Sequence, residues 1–142
     1  MRRLQIVIDT NVLVAALRSQ SGASYKLLML LGGDKFDINL SVPLAIEYED
    51  VGKRMLGEIR LDIDDLEDVL DFLCSIARRQ KIYYLWRPFL RDPKDDMLLE
   101  LAMAADCETI VTYNKKDFMG IEQFGLRCLN PREFLQEIGE LP

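Results

Sequence analysis

Leu4-Gln5-Ile6-Val7-Ile8, followed at once by Asp9-Thr10-Asn11, is the stretch whose reading decides the fold. A five-residue run, apolar except for Gln5 and rich in β-branched side chains, reads as a strand buried on both faces, and such strands belong to parallel sheets covered by helices. Three polar residues then mark the strand's carboxyl end and the entry to a helix that begins near Val12. Asp9 or Thr10 is suited to accept hydrogen bonds from the first free N–H groups of that helix. Capping and ligand binding do not exclude one another, so both readings of Asp9 stay open.

Working outward, residues 12–17 and 25–31 have helical periodicity, with Gly32-Gly33 as a stop. Residues 36–40 offer a second strand, and Pro43 suits the first turn of a helix running to about Met55. Residues 61–79 repeat apolar side chains every three or four positions, as an amphipathic helix does. A third strand is expected over residues 81–86, a helix capped by Asp95 through Ala105, a fourth strand over 109–112 and a fifth over 126–129. Asn130-Pro131 is a cap and first-turn pair for a last helix. Strands alternating with helices predict an α/β fold, a three-layer α/β/α sandwich around a parallel sheet of about four or five strands. No repeat or linker divides residues 1–142, so a single domain is expected.

Composition narrows the chemistry. The chain of 142 residues is 49% hydrophobic and 30% charged and has no apolar run near the roughly 20 residues needed to span a bilayer. The apolar run after Met1-Arg2-Arg3 is too short for a signal peptide, and Cys74, Cys107 and Cys128 fit no disulfide or zinc spacing. A soluble cytoplasmic protein without membrane association is expected. There is no histidine. Ser-His-Asp and Cys-His nucleophiles, HExxH zinc hydrolysis and His-pair ribonucleases are thereby excluded. Hydrolysis would have to rest on carboxylates holding a hard cation such as Mg²⁺ or Mn²⁺. The net charge of −6 argues against a general nucleic-acid coat, yet residues 72–91 hold five bases and no acid, a local basic strip.

Four carboxylates stand out. Asp9 ends the first strand. Glu47 lies between Ile46 and Tyr48, close to an apolar stripe, unlike the better surface candidates Glu49 and Asp50. In Asp92-Pro93-Lys94-Asp95-Asp96, Asp96 is expected to project into the crevice while Asp92 and Asp95 serve the turn and the cap. Asp117 follows the fourth strand, together with Thr112 and Asn114. Ligand crevices of such sheets lie beyond the carboxyl ends of the strands, where strand order reverses. That rule brings Asp9 and the loop of residues 114–117 toward one another.

Taken together, Val7-Ile8-Asp9-Thr10-Asn11-Val12-Leu13, Ser41 to Glu47, Asp92-Pro93-Lys94-Asp95-Asp96 with Leu99-Glu100-Leu101-Ala102, and Ile110-Val111-Thr112-Tyr113-Asn114-Lys115-Lys116-Asp117-Phe118 strongly resemble the PIN-domain ribonucleases, in order and spacing. Within that superfamily the chain is similar to the VapC-type toxins of bacterial toxin-antitoxin systems. The resemblance implies that Asp9, Glu47, Asp96 and Asp117 hold one or two Mg²⁺ or Mn²⁺ ions and are catalytic, with Asn11, Thr112 and Asn114 in support. Many relatives have an aspartate where this chain has Asn114. Implied further are hydrolysis of phosphodiesters in single-stranded RNA, a cognate antitoxin as partner, and a homodimer. Two other readings stay open: a PIN-like binding module with weak catalysis, and a small-molecule phosphate-ester hydrolase. Against the second, Asn11 replaces the second acid of the usual Asp-x-Asp loop.

Overall fold

Residues 4–8 form strand β1 (Leu4–Ile8), and the reason is visible in their burial: Ile6 and Val7 point to opposite faces and neither is exposed. The structure, a computed structural model, describes residues 3–81 and 89–142. After β1 come α1 (Thr10–Arg18), α2 (Ala23–Met29), β2 (Phe36–Leu40), α3 (Val42–Arg54), α4 (Ile63–Ile76), β3 (Arg78–Arg79), α5 (Pro93–Ala104), β4 (Thr109–Val111), β5 (Arg127–Leu129) and α6 (Pro131–Glu137). Short 3₁₀ turns occupy Leu56–Glu58, Lys115–Phe118 and Ile121–Phe124.

The five strands form one sheet in the order β3-β2-β1-β4-β5, and every pairing is parallel. β1 is central, with Ile6 opposite Thr109 and Ile8 opposite Val111 on one side and Leu4 opposite Phe36 on the other. Parallel crossovers are right-handed. The connections β1–β2 and β2–β3 run one way along the sheet and β3–β4 runs back, so the helices of the first two cover one face and α5 covers the other. Side-chain packing agrees, since Ile8 and Ile38 share an apolar space with Val12, Leu27, Tyr48 and Leu73 from α1 to α4. On the same side Phe134 of α6 meets Phe36 edge-on, with ring centroids 5.3 Å apart. This is the three-layer α/β arrangement expected from the alternation of strands and helices.

Caps set the helix boundaries. Ser41 accepts a hydrogen bond from Leu44 N, and reciprocal capping boxes join Asp62 to Asp65 and Asn130 to Glu133. Two expectations shift. The helix read over residues 61–79 ends at Ile76, and the third strand is the two-residue β3, paired Asn39 to Arg78 and Leu40 to Arg79. The strand expected over 81–86 falls, apart from Lys81, outside the described residues. Among the described residues no helix is long and apolar enough to cross a membrane.

Candidate metal centre

Ile8, at the end of β1, passes the chain to Asp9, which is only 8% exposed. Asp9 holds the N-cap position of α1, but its side chain makes no capping hydrogen bond. Its carboxylate turns instead to β4: Thr112 Oγ1 donates to Asp9 Oδ2 at 2.8 Å. Thr112 is fully buried and accepts in turn from Asn114 N at 3.0 Å and from Asn11 Nδ2 at 3.5 Å. Asn11 Oδ1 accepts from Tyr113 N at 3.4 Å. The pairing of β1 with β4 therefore fixes Asp9 and the 112–117 loop as one unit.

Glu47 is brought in by α3. Thr10 Oγ1 donates to Glu47 Oε2, and the neighbouring Tyr48, buried in the core, donates its hydroxyl to the carbonyl of Ile8. Tyr48 thus ties α3 to the last residue of β1, one residue from Asp9. Burial, and then the charges of Asp9 and Glu47, hold the Tyr48 phenol well above its ordinary pKa, so it remains a donor. Lys94 Nζ stands 3.9 Å from Glu47 Oε1.

The third segment departs from expectation. Asp92, not Asp95, caps α5, accepting from Lys94 N at 2.9 Å with Pro93 as the first helical residue. Asp96 turns away from the crevice: its Oδ1 accepts from Leu90 N at 2.9 Å and Phe89 N at 3.2 Å. Asp95 is the residue that faces the other acids. The sequence carried the signal, because Asp92-Pro93 repeats the cap-and-proline pattern that marks Asn130-Pro131.

The result is a cavity of about 620 Å³ whose lining includes Asp9, Glu47, Asp92, Asp95 and Asp117 with Thr10, Asn11 and Asn114. Of the four acids singled out in the sequence, Asp9, Glu47 and Asp117 come together here and Asp96 does not. Burial, above all, raises the pKa of Asp9, with further contributions from the charges of Glu47 and Asp117, while Thr112 and the Thr10 N–H pull it down. Asp95 is pushed up to about 6, first by burial and then by Asp9, Asp92, Asp117 and Glu47. Among the described residues no lysine or arginine pairs with Asp9, Asp95 or Asp117. As they stand, no three described acidic or cysteine side chains are close enough to enclose an ion. Yet the donors are all oxygens that line one cavity short of positive charge, and a hard divalent cation relieves that imbalance.

A parallel α/β sheet with acids from four separate segments gathered where its strand order reverses defines the class of this protein. The chain belongs to the PIN domain family, whose profile matches residues 5–116. Its fold is similar to that of a chain in the crystal structure of VapBC2 from Rickettsia felis bound to a DNA fragment from their promoter. The TM-score is 0.62 at 18% identity, over 89% of this chain and 98% of that one. No protein of curated function matches the chain.

Proposed function

We propose that this chain is a Mg²⁺- or Mn²⁺-dependent endoribonuclease that hydrolyses phosphodiesters in single-stranded RNA, acting as the toxin of a toxin-antitoxin pair. The observation that carries the reading is the convergence of Asp9, Glu47, Asp95 and Asp117 on one cavity without cations of their own to neutralise most of them. These four would hold the metal. When bound, a divalent cation supplies charge to offset a phosphodiester and lowers the pKa of water. Thr112 holds the Asp9 carboxylate, Thr10 holds that of Glu47, and Tyr48 keeps α3 against β1. Membership of the PIN family and the fold shared with a VapBC2 chain support the toxin reading. Its partner is then a protein antitoxin, its form a homodimer and its place the cytoplasm.

The test is cleavage of end-labelled RNA with Mn²⁺, Mg²⁺ or a chelator. Asp9→Asn and Asp95→Asn should each lose more activity than the roughly 10–100-fold that removal of a supporting group costs. Asp96→Asn should retain more than either. Undiminished cleavage by a folded Asp9→Asn/Asp95→Asn double variant removes the reading. The wide spacing of the acids as they stand favours one alternative, a binding module with weak turnover, and a Mn²⁺ titration without saturable binding would select it.

A further inference from the structure

A second cavity, of about 710 Å³, adjoins the acidic one and shares Asp92, Asp95 and Asp117 with it. Its size is in the ~300–1,000 Å³ range of small-ligand pockets. Around the rest of its wall stand Phe89, Arg91, Lys116 and Met119. The nearby cations differ in their commitments. Lys115 pairs with Glu133, Arg18 with Glu58, and Lys94 leans on Glu47. Arg91 and Lys116 form no ion pair among the described residues, so both are available to an anion.

Of the apolar wall, Phe89 and Met119 are exposed, and Phe89 is also held in place. Phe89 is 40% exposed and Met119 75%. The Phe89 ring meets Phe124 edge-on, centroids 5.1 Å apart, and rests over Gly120, where a Cβ would come within 3.1 Å of its Cζ. Its backbone N–H is held by Asp96, as is that of Leu90. A held aromatic ring, an adaptable thioether and two uncommitted cations are the parts from which single-stranded nucleic-acid platforms are made: bases stack, and phosphates meet the cations. An acidic peptide would use the cations but has no comparable use for the ring.

We propose that Phe89, Met119, Arg91 and Lys116 form a subsite for the RNA strand beside the phosphate held at the acids. Phe89 offers a stacking surface to one base, and Arg91 and Lys116 contact the flanking phosphates. Asp96 is a positioning residue, holding the loop that presents Phe89. The inference rests on the nuclease reading above and extends it to how the strand is gripped.

Binding of a short fluorescent single-stranded RNA, followed by anisotropy on the full chain with a chelator to keep the RNA intact, tests it. Adding Phe89→Ala should weaken binding about tenfold, as loss of one stacked base does, whereas Phe89→Trp should not. Adding Arg91→Ala and Lys116→Ala should flatten the slope of log Kd against log salt by about 1.4, roughly 0.7 per charge for a single strand. In the unsubstituted protein, RNA carrying 5-iodouridine should photocrosslink to the peptide containing Phe89. That measurement stands even if Phe89→Ala fails to fold. Binding unchanged by all these variants, or crosslinks only elsewhere, overturns the subsite, including the case in which a protein docks on this face. If the variants bind as expected but the wild type leaves RNA uncut with Mn²⁺, the nuclease reading fails and the subsite stands.

Discussion

In the metal-free protein Asp95 keeps its proton to about pH 6, well above its ordinary 3.8, because burial and four neighbouring carboxylates disfavour its charge. The folded state then binds the proton more tightly than the unfolded chain does. The resulting contribution to stability is complete below the unfolded pKa and is lost as pH rises through about 6. Asp95→Asn removes the charge, so the metal-free variant should melt a few degrees above wild type near pH 7.5, with the gain shrinking to nothing toward pH 4. A variant less stable than wild type by the same amount at both pH values would show that Asp95 is not strained. Asp9 carries the same sign of shift, so it adds to the pH dependence of the wild type. At this scale the sequence was only half legible. Asp9 is placed by a strand and Glu47 by an apolar stripe, both periodic signals. The choice between Asp95 and Asp96 turns on one residue of helix phase. That phase is set by the buried face of α5: Leu98, Leu99 and Ala102 stand three, four and seven residues beyond Asp95, so the apolar stripe favours Asp95 over Asp96 by a margin of one position.

α3 and α4 meet at a seam that tests how tightly the element carrying Glu47 is held. Gly52 of α3 lies against Leu66 of α4, and a Cβ there would come within 2.9 Å of Leu66 Cδ1 and 3.1 Å of Cδ2. Alanine would improve helix propensity by about 1 kcal/mol. Overpacking costs ~1–3 kcal/mol, and Leu66, fully buried, has little room to turn. The steric term wins: Gly52→Ala should lose about 1 kcal/mol in urea unfolding, the difference of those two estimates. A stabilised variant would mean the seam is looser than drawn. Elements with caps were the legible ones. Pro43 and Asn130-Pro131 mark α3 and α6 near their observed starts, and the apolar run of β1 matches its strand. β3 was not legible, since two exposed arginines have no apolar pattern. They join the sheet through main-chain pairing with Asn39 and Leu40, and Gln80 N extends the ladder to Leu40 O at 2.8 Å.

For the whole molecule the decisive quantity is charge. The chain carries −6, and its cavity adds local repulsion to that field. A cation that binds only the folded state should raise the melting temperature. At 100 times Kd the gain is about 2.7 kcal/mol, or roughly 5–10 °C for a domain of this size. Mn²⁺ should therefore stabilise the wild type strongly near pH 7.5 and less near pH 5, where protons compete for the carboxylates. A chelator should undo the shift, and Asp9→Asn should lack it. An equal shift in that variant would place the ion elsewhere. Fold class was legible at this scale because alternation of strands and helices is a property of the whole chain. The gathering of the acids followed only in outline, from the rule that crevices open where strand order reverses.

That reversal has a consequence in time. β1 is made first, but its neighbour β4 and the Thr112 that grips Asp9 come about a hundred residues later, and Asp117 later still. Synthesis proceeds at ~5–20 residues per second, with early parts free to fold first. Until β4 emerges, the strand destined for the centre of the sheet is an edge and the acids have no common cavity. Whatever chemistry this edge performs is withheld from the nascent chain until the segment that carries Thr112 and Asp117 has been made.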